Sequence, residues 1–135
     1  MSRALARLER LQQALIQARR AAEADMGRAA AQLCELAQRQ ADLEAALTRQ
    51  HAFADMLLSP SLSRLAGIGL RIVSGEAELS GLRQCVTELA IKLRLIEARL
   101  ATARKLDTDR AAREQLAELA SRQAWLSSSS LKQAV

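Results

Sequence analysis

Apolar residues recur at alternating spacings of three and four along the first part of the chain. Counting from Leu5, twelve of the sixteen positions reached by Leu57 are apolar, and the other four are glutamine or arginine. This alternation is the heptad spacing of a coiled coil, in which the apolar positions form a narrow seam against a partner helix. The pattern predicts one long helix over about residues 3–57.

The same spacing returns in the second part of the chain with a more apolar seam. All twelve positions from Leu65 to Ala103 lack a polar side chain. Past Ala103 the count meets charged residues, the first of which is Asp107, and such a phase change alters or ends a coiled coil. The pattern predicts a second helix over about residues 65–126 and a frayed, serine-rich tail over 127–135.

The segment between the two seams contains Pro60, the only proline of the chain. Proline cannot donate the helical hydrogen bond, and it disfavours the helical conformation of the residue before it. We therefore predict that the chain turns back near residues 58–64. The predicted fold is all-α, a long antiparallel two-helix coiled-coil hairpin that forms a single domain over residues 1–135.

The register of this hairpin stays open between two alternatives. One keeps both seams in phase around the short turn and places Leu33 beside Leu89. A shift by one heptad also keeps the seams in phase, with residues 58–71 forming a longer tip that uses the glycines of that segment.

Composition and charge then exclude several classes of protein. The 20 basic and 15 acidic residues give a net charge of +5, but no stacking aromatics accompany the basic residues, so a nucleic-acid partner is not expected. The N-terminus lacks the apolar core of a signal peptide, and no run reaches the ~18 apolar residues of a membrane span. We expect a cytoplasmic protein that is not inserted in a membrane, with Cys34 and Cys85 as reduced thiols.

No pattern of residues predicts catalysis or cofactor binding. His51 is the only histidine, and neither a nucleophile–base pair nor a set of metal ligands can be assembled around it at the usual spacings. A hairpin of two helices also offers no dry interior for a reaction. We therefore expect no enzyme activity, no catalytic residue, no cofactor and no metal.

The candidate functional residues are partner contacts outside the seam. Exposed apolar residues a turn apart suggest a second interface, covered either by another copy of the chain or by a different protein. Basic residues are densest late in the second seam, where they are either a solvated helix face or a contact surface. The candidates are Phe53, Leu70, Val73, Ile91, Leu95, Arg99, Arg104 and Lys105.

The heptad runs "LARLERLQQALIQARR" and "LRQCVTELAIKLRLIEARLATARKL", in a short basic chain, resemble the FliJ/YscO group of bacterial type III secretion and flagellar export proteins. The resemblance is architectural and covers roughly residues 3–126. It implies a stalk whose paired terminal ends enter a hexameric export ATPase. It also implies that the tip side meets an export-gate protein or secretion chaperones, at the inner face of the inner membrane. A generic coiled-coil scaffold and a small helical chaperone are the alternative functions.

Overall fold

The protein consists of two long α-helices. The computed structural model describes the backbone of residues 3–49 and 54–133, and the side chains of residues 3–49 and 60–129. Helix α1 spans Arg3–Arg49 and helix α2 spans Ala54–Gln133. The two helices pack against each other as an antiparallel hairpin, which confirms the predicted all-α fold.

Contacts divide the hairpin into two compact units, each made of a stretch of α1 and a stretch of α2. The terminal unit combines Met1–Ala14 with Leu93–Val135, and the central unit is Leu15–Lys92. The buried apolar residues described in the terminal unit are Leu5, Leu93, Ile96 and Leu100, and those in the central unit are Ala22, Ala29 and Leu79.

The predicted seam is the buried face of both helices. Within the described residues, every seam position from Leu5 to Leu47 is buried or half-buried, and so is every position from Leu65 to Ala103. The alternation of three and four therefore identified the core correctly. This holds because apolar side chains at that spacing share one stripe of a helix, and burying the stripe is the main gain in packing two helices.

The predicted turn at 58–64 is wrong, because α2 already begins at Ala54 and continues through Pro60. The first helix correspondingly ends at Arg49 rather than at residue 57, and the second begins eleven residues earlier than predicted. Proline fixes φ near the helical value, so a helix can contain it at the cost of one hydrogen bond. The long packed seam beyond Pro60 compensates for that cost.

The register that places Leu33 beside Leu89, which we call the predicted register, is also wrong, and so is the alternative shifted by one heptad. In the central unit a Cβ added to Gly75 would lie 2.7 Å from Leu33 Cδ2, so Leu33 packs beside Gly75 rather than beside Leu89. The difference is fourteen residues, which is two whole heptads. Such a shift leaves the same residues in the seam, and for that reason the hydrophobic pattern alone could not exclude it.

The predicted frayed tail over 127–135 is helical as far as Gln133, where α2 ends. Serine costs only about 0.5 kcal/mol per residue relative to alanine in a helix interior. No glycine or proline follows Gly81, so nothing in the local sequence stops the helix at residue 126.

A crosslinking experiment distinguishes the observed register from the predicted one. Gln32 and Glu78 line the same groove of the central unit, so cysteines at these two positions should be joined within one chain by a short thiol crosslinker. The exposed Cys34 and Cys85 are first replaced by serine. The readout is the shift of the monomer band on a denaturing gel.

The matched control is the pair Gln32→Cys and Lys92→Cys, which the predicted register would bring together. In the structure Lys92 lies fourteen residues beyond Glu78, or ~21 Å along the helix axis, so this pair should stay unlinked. Crosslinking of the control pair in preference to the first pair would refute the observed register.

Candidate protein-binding surfaces

The three basic candidates of the terminal unit are all exposed, but they do not share one face. Arg99, Arg104 and Lys105 lie on a continuous helical stretch of α2. At ~100° per residue, Arg104 and Lys105 point ~140° and ~240° around the helix from Arg99. The three charges are therefore distributed around α2 instead of forming a patch on one side. A partner that contacts all three must contact the helix from several sides.

Arg104 also forms an ion pair with a residue of α1. Its Nη2 lies 3.5 Å from Oε1 of Glu9; the Arg104 side chain is exposed and that of Glu9 is half-buried. Exposed ion pairs contribute about 0–1 kcal/mol, so this pair does little for stability and leaves the guanidinium accessible to a partner.

Leu70 and Val73 belong to a longer apolar stripe on the outer face of α2 in the central unit. Their side chains are 73 % and 64 % exposed. Leu62, Ala66 and Ala77 are exposed as well and lie three or four residues from their neighbours in the stripe, so the five residues share one side of the helix. We call Leu62, Ala66, Leu70, Val73 and Ala77 the outer stripe.

The remaining apolar candidates in the described structure are four residues apart on α2, so they lie on one side of that helix. Ile91 is exposed in the central unit and Leu95 is exposed in the terminal unit, as expected for positions off the seam. Phe53 lies outside the described residues.

Part of α2 in the terminal unit has no packing partner among the described residues. Every residue from 108 to 128 is exposed, including Leu116, Leu119 and Trp125. We call residues 108–128 the free segment. Its side chains pair locally, as in the ion pair between Arg122 Nη2 and Glu118 Oε1 at 3.1 Å.

A groove of about 630 Å³ separates α1 from α2 in the central unit. The α1 wall carries Arg39, Asp42, Leu43 and Ala46. The α2 wall carries Arg64, Gly67, Ile68 and Arg71. We call this surface the arginine groove. Three of its residues carry a positive charge and one carries a negative charge, over a floor of apolar and small side chains.

The sequence pattern did not single out the arginine groove. Arg64 and Arg71 are one heptad apart and flank the seam, which is a signal that the sequence does contain. Which α1 residues face them depends on the register, and with the predicted register Arg39 would lie far from both.

The described residues contain no group of three His, Cys, Asp or Glu side chains placed to hold a metal ion. They also include no helix that is long and apolar enough to span a bilayer. The surfaces on which an argument about function can rest are therefore the exposed basic residues, the outer stripe, the free segment and the arginine groove.

Comparison of the chain with known protein families, with characterised proteins and with solved structures finds no match.

Proposed function

We propose that the protein is a non-enzymatic coiled-coil stalk or adaptor of a bacterial type III secretion or flagellar export apparatus, and that it binds the hexameric export ATPase. The observation that carries the proposal is the antiparallel hairpin of two long helices with a coiled-coil seam. The choice of apparatus comes from the resemblance to the FliJ/YscO group.

The terminal unit is the part that we assign to the ATPase. A ring that accepts a helical element must contact it from several sides, and Arg99, Arg104 and Lys105 point in different directions around α2. The free segment adds twenty-one exposed residues to the same unit. Exposed charges of this kind set the rate and the salt dependence of association more than its final affinity.

The outer stripe is the part that we assign to a second protein, an export-gate component or a secretion chaperone. Its apolar side chains are exposed within the described residues of the chain, and an apolar stripe on a helix is the usual contact face for another helix. A coiled-coil scaffold outside any secretion system would use the same stripe, so the ATPase assay below decides between the two functions.

Reversing the three basic charges should weaken ATPase binding. The variant Arg99→Glu/Arg104→Glu/Lys105→Glu is expected to lose about five- to tenfold in affinity at low ionic strength, and less as salt screens the charges. Affinity is measured by light scattering or interferometry with the export ATPase of the same genome. Stimulation of ATP hydrolysis by the chain gives a second readout.

Two matched variants serve as controls. Arg20→Glu/Arg83→Glu/Lys92→Glu makes the same charge change on exposed residues of the central unit, and it should bind the ATPase like the wild type. Leu70→Ser/Val73→Ser alters the outer stripe and should also spare this binding. If the chain neither binds nor stimulates the ATPase, or if only the stripe variant loses binding, the ATPase assignment fails.

A further inference from the structure

We propose that the arginine groove binds an acidic helical segment of a partner protein. The proposal concerns the central unit alone and does not depend on the assignment of the terminal unit to an ATPase.

The charges on the two sides of the groove do not compensate each other. Arg39 and Arg71 each directly precede a seam residue of their helix and line the groove from opposite sides. In coiled coils such flanking positions normally pair opposite charges between helices. Here arginines line the groove from both helices, and Arg64 adds a third positive charge one heptad from Arg71.

The arginines are available to an acidic ligand. Within the described part of the chain, none of the three forms an ion pair. Asp42, the carboxylate in the groove wall, accepts a hydrogen bond of 2.9 Å from Gln38 Nε2 on its own helix. The groove therefore has an excess of two positive charges and guanidinium donors that are suited to carboxylates.

The floor of the groove has room for an apolar side chain. Leu43 and Ile68 line the groove and are half-buried, whereas Ala46 and Gly67 are small. A Cβ added to Gly67 would meet nothing within 4 Å, so this part of the groove is open. A ligand that combines carboxylates with an apolar residue matches both the charge and the floor.

The spacing of the arginines favours a helical protein segment over a nucleic acid. Arg64 and Arg71 are seven residues apart on α2, which is ~10 Å along the axis. A ligand helix with acidic residues seven apart and a leucine midway reproduces that distance on one face. No aromatic side chain lines the described groove, so nucleic-acid bases would find nothing to stack on.

The test uses a fluorescein-labelled helical peptide with Glu at positions i and i+7 and Leu at i+3 and i+4. Fluorescence anisotropy with the full chain is expected to show saturable binding. A peptide of the same composition in scrambled order should bind at least about fivefold more weakly, because its carboxylates leave the shared face. Equal binding of the two peptides would overturn the proposal, because binding would then depend only on the net charge of the peptide.

Two variants locate the binding in the groove. Arg39→Gln/Arg64→Gln/Arg71→Gln replaces the three charged guanidinium groups with neutral amides and should weaken binding about tenfold or more, as expected for three exposed charge contacts. Gly67→Glu places a carboxylate in the open part of the groove and should weaken binding to a similar extent. Each of these variants leaves the buried seam residues unchanged.

Each variant has a control with the same substitutions outside the groove. Arg20→Gln/Arg83→Gln/Lys92→Gln removes three exposed positive charges of the central unit. Gly81→Glu introduces the same carboxylate at another helical glycine where an added Cβ meets nothing within 4 Å. Both controls should bind the peptide like the wild type. Losses as large as those of the groove variants would overturn the assignment to the groove.

The same assay tests the other polyanions. A single-stranded DNA oligonucleotide and vesicles containing phosphatidylserine are added as competitors at equal charge concentration. Neither should displace the acidic peptide. Displacement by the DNA or the vesicles that is lost in the triple arginine variant would replace the proposed protein partner with that polyanion.

Discussion

Replacing Leu100 by alanine should lower the free energy of unfolding by about 2–5 kcal/mol, the usual cost of deleting a buried leucine side chain. Leu100 is the most completely buried large side chain described, with 1 % of its surface exposed. It lies in the seam of the terminal unit, where its loss would leave a cavity that the two helices cannot easily close. Chemical denaturation followed by circular dichroism measures the effect.

Leu95→Ala is the matched control, because Leu95 lies five residues away on the same helix and in the same unit. Its side chain is 52 % exposed, so the same substitution should cost well under 1 kcal/mol. Both variants change helix propensity equally, and the difference between them therefore reports burial. Equal large losses would mean that Leu95 is buried in solution, by another copy of the chain.

Replacing Pro60 by alanine should raise the free energy of unfolding by up to about 3 kcal/mol, the penalty for proline in a helix interior. Pro60 lies six residues after the start of α2, where its missing N–H leaves the carbonyl four residues earlier without its helical donor. Alanine restores that hydrogen bond and is the best helix former. Melting temperature and helical ellipticity should both increase.

Ser63→Ala is the control for this prediction, since Ser63 is exposed on the same stretch of α2 and its replacement improves helix propensity by only about 0.5 kcal/mol. A Pro60→Ala variant that is no more stable than Ser63→Ala would contradict the helical assignment. It would instead place Pro60 in a turn, where proline reduces the entropy of the unfolded chain.

The sequence was sufficient to identify the seam but not the pairing between its halves. Residues such as Leu33 and Leu79 are recognisable because burial follows the heptad spacing, and both are buried or half-buried. Their partners are not recognisable, because sliding one helix by whole heptads exchanges one seam residue for another. Only a feature that breaks the repeat can set the register, and the predicted turn rests on Pro60.

Pro60 was a poor marker because its local penalty competes with a much larger cooperative gain. About 3 kcal/mol disfavours a proline inside a helix, whereas each leucine buried along the adjoining seam contributes about 1.5–3 kcal/mol. The helix therefore continues through the proline.

The same dependence on register explains which surfaces could be predicted. Leu70 and Val73 were predictable as exposed, because their position relative to the seam depends only on their own helix. The arginine groove was not, because Arg39 of one helix and Arg71 of the other line the same groove only in the observed register. Features of a single helix follow from the heptad pattern, whereas features shared by two helices do not.

The free segment has a consequence for the entropy of any association that uses it. In an isolated helix of this length, forming the first turn is unfavourable, so the helix is only marginally stable in water. Residues 108–128 continue a helix whose preceding turns are already packed in the terminal unit, so they only have to propagate it. A partner that recognises them in helical form therefore meets a largely prearranged ligand, and it loses little of its binding free energy to ordering the chain.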